Sequence, residues 1–214
     1  KMEEAKKGSA MGVGVVMAVL GLVVGYGVAT MMAADKAEDL AEGGAAVAMK
    51  TTDTKAADLR VLINSLERQH VNLASAAVRS GFDGKADFTA VAGSLDENSV
   101  ALSEAVGSVY GKEAGDKFLE IWRSHIGFFV DYTLAAKGGD QAGMDKAVAN
   151  LGGYVDAISD FFSNANENLP REAVKSLVNE HVMLLKEAVD SYGAAKYDKS
   201  YEAQAKADKQ IGTI

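Results

Sequence analysis

The chain has 214 residues, 22 basic and 30 acidic, with no cysteine and one proline. A net charge of −8 argues against nucleic acid and anionic headgroups as partners, and no basic cluster or aromatic-basic alternation runs the other way. Without cysteine, an exported domain rests on core packing or a bound group rather than on disulfides.

Residues 1–9 read as a cytoplasmic segment with Lys1, Lys6 and Lys7. From Gly8 to Ala34 follow 27 residues without a charge, GSAMGVGVVMAVLGLVVGYGVATMMAA. About 20 mostly apolar residues are enough to cross a bilayer, so residues 10–34 are predicted as one transmembrane helix. The run exceeds the apolar stretch of about 7–15 residues in a cleaved signal. Three lysines precede it, whereas only Lys36 closely follows it, among Asp35, Glu38 and Asp39. That bias predicts a single-pass protein of the cell membrane, N-terminus cytoplasmic and the remainder outside. Gly14, Gly21 and Gly25 share one side of the helix, and Gly21-x-x-x-Gly25 is a close-approach pattern for a second helix. The partner expected there is a copy of the chain or another subunit of a membrane complex. The Lys6-Lys7-Gly8 step before a glycine-rich helix also resembles archaeal pilin and archaellin leaders, and that resemblance implies a filament subunit as an alternative.

Residues 35–54 read as a stalk that is weakest at Gly43-Gly44. Its end, Thr51 to Thr54, predicts a helix start capped by Asp53 or Thr54. Residues 55–214 read as an extracytoplasmic domain. Beyond the apolar run the chain carries 19 basic and 28 acidic residues, a net charge of −9. Apolar residues recur there at three and four. They begin with Leu59, Leu62, Ile63, Leu66, Leu73 and Ala77, and end with Val174, Leu177, Val178, Leu184, Leu185 and Val189. Breaks are predicted at Gly81 to Gly84, at Gly111, at Gly138-Gly139-Asp140 and from Asn164 to Pro170, where proline opens a helix. A short last helix covers about Ser200 to Lys209. The expected fold is all-α: an up-down antiparallel bundle of five to six helices built from repeated hairpins, preceded by the membrane helix.

Each of the three histidines sits in a similar setting: LERQHV at His70, WRSHI at His125 and VNEHV at His181. They are 55 and 56 residues apart, about one helical hairpin, which is the spacing of a stacked repeat. Each falls on an apolar row, so all three should point at the core and at similar heights. Two readings stand side by side. Three imidazoles at one level would suit copper or iron, and two would ligate haem, with Glu67 and Glu180 orienting the rings. Alternatively they are core residues inherited from one hairpin, satisfied by Asn98, Tyr132 and Tyr154. Glu67-x-x-His70 matches one half of a diiron-carboxylate site, but the equivalent positions are Trp122 and Val178. No His-x-x-x-His, phosphate loop or nucleophile elbow occurs. Asp83 and Asp87 lack calcium-loop spacing and read as turn residues.

The segments LERQHVNLA, SVYGKEAGDKFLEIWRSHIGFFVDYT, FFSNANENLP and NEHVMLLKEAVDSY resemble a bacterial family of exported helical-bundle domains, some labelled copper-amine-oxidase-like after a different attached domain. The resemblance spans about Leu59 to Tyr201. It implies a further histidine-methionine pair in the last helix, whereas Ala203 to Lys209 holds no histidine here. It implies no amine oxidase activity, because the tyrosine-derived cofactor site is missing from the chain. The function expected from sequence is non-enzymatic: a structural or accessory subunit of a membrane or surface assembly. The alternative is a membrane-tethered binder of copper, iron or haem through His70, His125 and His181.

Overall fold

The computed structural model describes residues 54–212. The apolar run, with Gly14, Gly21 and Gly25, lies outside them, as does the stalk before Thr54. Among the described residues no helix is long and apolar enough to cross a membrane, and six α-helices account for the regular structure. They are α1 (Lys55–Asp83), α2 (Phe88–Tyr110), α3 (Lys112–Gly138), α4 (Gln141–Ala165), α5 (Arg171–Gly193) and α6 (Tyr197–Ile211).

Helix ends fall where the sequence weakens helix. Thr54 caps α1, its Oγ1 accepting from the Ala57 amide at 3.1 Å. Gly84, Gly111 and Gly139 take positive φ of 68°, 95° and 68° in the first three connections, a region open to glycine without a Cβ penalty. Asp140 caps α4 by accepting from the Gly143 amide. Pro170 stands just outside α5, one position before the expected first turn. The last helix runs longer than its alanine-rich pattern suggests, because Ser200, Ala203, Ala207 and Ile211 form a buried row that packing holds helical. In the first nine described residues the apolar pattern does not mark core: Val61 is 68 % and Leu62 47 % exposed.

From Ile63 onward the helices form one compact unit. Side-chain pairs fix their directions. Asn98 reaches the Leu66 carbonyl and Ser103 the Gly115 carbonyl. His125 stacks near Tyr154, Arg171 reaches Asp156, and Ser200 donates to the Ala188 carbonyl. In each pair rising numbers on one helix meet falling numbers on the next, so consecutive helices are antiparallel. Alternate helices are therefore parallel, with contacts at offsets of 55 (His70 with His125), 56 (Gly81 with Lys137) and 58 (Tyr132 with Asp190). The sequence spacing of the histidines is thus the spatial register of α1 on α3.

The core is a continuous cluster from Val71 and Leu102 through Phe118, Trp122, Leu151, Ile158 and Val178 to Ala207. The tightest crossing is α2 on α3. A Cβ added at Gly115 would stand 2.7 Å from the Ser103 carbonyl oxygen and 3.0 Å from the Gly107 Cα. Both are backbone atoms and cannot swing away. Gly115→Ala is therefore expected to destabilise by about 1–3 kcal/mol. Gly152→Ala, at a helical position with nothing within 4 Å, is expected to stabilise by about 0.5–1 kcal/mol through backbone entropy. Urea titration of the two variants checks the opposite signs.

Candidate functional site

Most buried hydroxyls of the bundle are hydrogen-bonded. Ser99, Thr133 and Ser159 each donate to the carbonyl four residues back, at 2.9, 2.8 and 2.6 Å. Apart from Tyr110 Oη at the end of α2, the exceptions gather around two histidines. Buried polar atoms without a hydrogen bond include His70 Nδ1, His125 Nδ1, Asn98 Oδ1, Trp122 Nε1 and Ser75 Oγ. Native cores leave few such atoms, so a cluster of them marks a site that needs explanation.

Its centre is a pair of imidazoles. His70 on α1 and His125 on α3 are 2 % and 6 % exposed, and their Nε2 atoms stand 3.4 Å apart. Trp122 packs beside both rings, with centroids at 4.9 Å from His70 and 4.7 Å from His125. Tyr154 covers the other side of His125 at 4.5 Å. Aromatic walls on both sides fix the ring planes and keep the contact dry.

The remaining ring atoms constrain the tautomers. Asn98 uses its Nδ2 as donor to the Leu66 carbonyl and to Gln69 Oε1, both at 2.9 Å. Only its Oδ1 acceptor is left to face His70, whose protonated form Asn98 favours. The Trp122 backbone favours protonation of His125 in the same way, which requires a carbonyl acceptor. Neither Nδ1 atom has a hydrogen-bond partner; with hydrogen there on both rings, the two Nε2 lone pairs would face each other. A neutral pair can join its Nε2 atoms only if one ring carries its hydrogen there. That leaves its own Nδ1 bare beside an acceptor. A cation held between the two Nε2 atoms removes the conflict.

His181 does not join the pair. It is half-buried on α5, and its Nδ1 stands 3.1 Å from Gln210 Oε1 on α6. Gln210 Nε2 donates to the Leu177 carbonyl, so His181 Nδ1 is the donor in the first contact. When protonated, His181 lowers both other rings by charge repulsion. Among the described residues no three His, Cys, Asp or Glu side chains converge on a point that could hold a metal. The expected common level of three histidines resolves into a buried couple and a neighbour. Glu180 is exposed and Tyr132 donates to Asp190 at 2.6 Å, so neither serves the histidines. Tyr154 meets His125 as a ring contact and Asn98 Oδ1 has no hydrogen bond, so the expected hydrogen-bond partners do not satisfy the histidines. Sequence reading passed over Gln210, although α5 and α6 run antiparallel and Gln210 is the amide that this register sets opposite His181. It stands on the helix where the family resemblance implied a histidine.

Burial governs the electrostatics. It lowers His70 to about 3, His181 to about 4, and His125 well below the ordinary imidazole range. The rings are neutral at neutral pH. Burial also raises the Glu67 carboxyl to about 8. Burial and then Glu67 push the Tyr154 phenol up in turn, which brings this acid within electrostatic reach of the ring that covers His125.

No protein-family model, curated protein or solved structure matches this chain. The chemistry of the site has to be read from its own geometry.

These shifts set the pH dependence of folding. Unfolded histidines take up protons near 6.5, while the folded ones resist to about 4 or below. The unfolded state binds more protons in that interval, so this stability is present above 6.5 and is lost as pH falls. Glu67 acts oppositely. From 4.5 unfolded to about 8 folded, its contribution is present below 4.5 and lost as pH rises. Urea stability is expected to climb from about pH 5 to a maximum near 6.5 and then decline towards 8, at up to about 1.4 kcal/mol per pH unit for one unmatched proton. Glu67→Gln should flatten the decline above the maximum while leaving the acid limb. A profile still rising at pH 8 would contradict this assignment.

Proposed function

We propose that this protein is a non-enzymatic, membrane-tethered binder of a transition metal, with His70 and His125 as its ligands. The 3.4 Å separation of their Nε2 atoms carries the reading. Two metal–nitrogen bonds of about 2.05 Å at a tetrahedral angle span about 3.35 Å.

The metal class follows from donors and charge. Imidazole suits copper, zinc, iron and nickel. A cation in a dry core needs a countercharge, or it costs more than its ligands return. The acid of this cluster is Glu67, one negative charge when ionised, and both ligands are neutral. The balance favours a monovalent ion, and copper(I) is the first-row ion that fits. Haem fits poorly: axial ligands on opposite faces stand about 4 Å apart with a flat macrocycle between them, whereas these nitrogens are closer and the adjoining cavity is only about 60 Å³.

Anaerobic titration of the full chain with copper(I) against a chromophoric chelator tests the reading. One copper per chain is expected, lost in His70→Leu and in His125→Leu and retained in His181→Ala. Free copper at 100 times Kd should stabilise the chain by about 2.7 kcal/mol, an effect absent from the first two variants. Equal retention by His125→Leu would refute the assignment.

The tether and any assembly role belong to the N-terminal residues, where the sequence supports an accessory subunit packed through Gly21 and Gly25. Gly21→Leu is expected to dissolve a native-membrane complex, read by its size in mild detergent, without altering the helicity of the bundle. An unchanged complex would remove that role.

A further inference from the structure

An apolar pocket of about 60 Å³, partly open to the surface, is lined chiefly by α1, α3 and α5. Its lining begins at His70 and His125 and reaches Gly81 and Tyr192. Eleven residues of α1 separate those ends, about 16 Å of helix. So small a volume over that length is a narrow passage rather than a chamber.

Away from the two histidines, most of its polar lining is engaged. Thr133 donates to the Phe129 carbonyl, Ser200 to the Ala188 carbonyl and Tyr192 to Asp83. Arg79 is held by Gln204 and lies over the Tyr201 ring. Ser75 Oγ is the buried hydroxyl without a partner. A buried water wants two to four polar partners; the unpaired buried atoms of the lining lie on His70, His125 and Ser75, and the stretch from Ala77 and Val78 to Val189 adds none. A guest with no hydrogen bonds to lose pays no such penalty. Size restricts it further: a cavity of about 150 Å³ takes up benzene, and this one is less than half as large.

We propose that this passage binds an uncharged diatomic guest, of the class of dioxygen, carbon monoxide and nitric oxide, and brings it to the Nε2 face of the His70–His125 pair. Binding in the passage needs no metal, so the proposal goes beyond the copper reading and stands or falls separately from it. With copper in place the guest would arrive beside the ion. Without copper it would occupy the same void.

Dissolved dioxygen is paramagnetic and serves as its own probe. Proton relaxation is measured by NMR on the metal-free full chain in detergent under raised oxygen pressure. Enhancement at Ala77, Val189 and the His70 ring is expected to exceed severalfold that at Leu151 and Ile158, which are equally buried but do not line the passage. Ala77→Leu, which fills the void, should bring the first group down to the level of the second. Equal enhancement at the two groups in the unmodified chain would overturn the proposal, and that comparison decides even if the filled variant fails to fold. Copper titration of the same sample separates the outcomes. Oxygen enrichment without copper uptake sinks the metal reading alone, and copper uptake without enrichment sinks the passage alone.

Discussion

Two neutral imidazoles that meet Nε2 to Nε2 in a dry core cannot both be satisfied by the protein around them. Each ring has one hydrogen to place. Neither Nδ1 atom has a hydrogen-bond partner, and the two Nε2 atoms face each other at 3.4 Å. An unsatisfied buried polar group costs about 1–3 kcal/mol. Other buried polar side chains of this bundle avoid that cost by returning a hydroxyl to their own helix, as Ser99, Thr133 and Ser159 do. The unmet demand of the histidines arises from the side chains placed around them.

The register that creates the contact comes from packing of ordinary kinds. Short connections force neighbouring helices antiparallel, so α1, α3 and α5 run parallel. Gly107 and Gly115 let α2 and α3 approach closely. The small row of Ser200, Ala203 and Ala207 seats α6 against the rest. With those crossings fixed, His70 and His125 have to meet, because their separation of 55 residues is close to the offset of 56 that sets Lys137 against Gly81. His181 is one residue further on and is drawn aside by Gln210. A repeat that looks threefold in sequence is twofold in space because the last helix contributes an acceptor at that corner.

Much of this was legible in the sequence. A period of 3.6 and glycines at the breaks set the helices and their order, and Thr54 was one of the two caps expected for α1. The histidine spacing pointed to a shared level because hairpin length fixes register. What periodicity does not carry is side-chain orientation. Nothing in the strings around His70 and His125 shows that they share a contact from which His181 is absent, since that depends on Gln210, remote in sequence. The exposure of Val61 and Leu62 was hidden for a related reason. An apolar row reports a capacity for burial, not the presence of something to pack against. Which hydroxyls are engaged and which are unpaired is also invisible to pattern reading, because serine reads the same whether or not its own helix satisfies it.

A structural role for the pair meets an energetic objection. Buried polar groups that serve stability are fully paired, and when they are not, apolar residues of similar volume do better. Here the histidines stand among Trp122, Tyr154 and Val71, where leucine or phenylalanine would pack without orphaned nitrogens. The same level holds Glu67, whose neutral form is favoured by burial up to about pH 8. A cation between the rings would reverse both costs together. It would accept the two lone pairs that the protein leaves facing each other, and its charge would favour the carboxylate that burial disfavours. One ion would account for several otherwise separate penalties, and core packing alone would account for none of them.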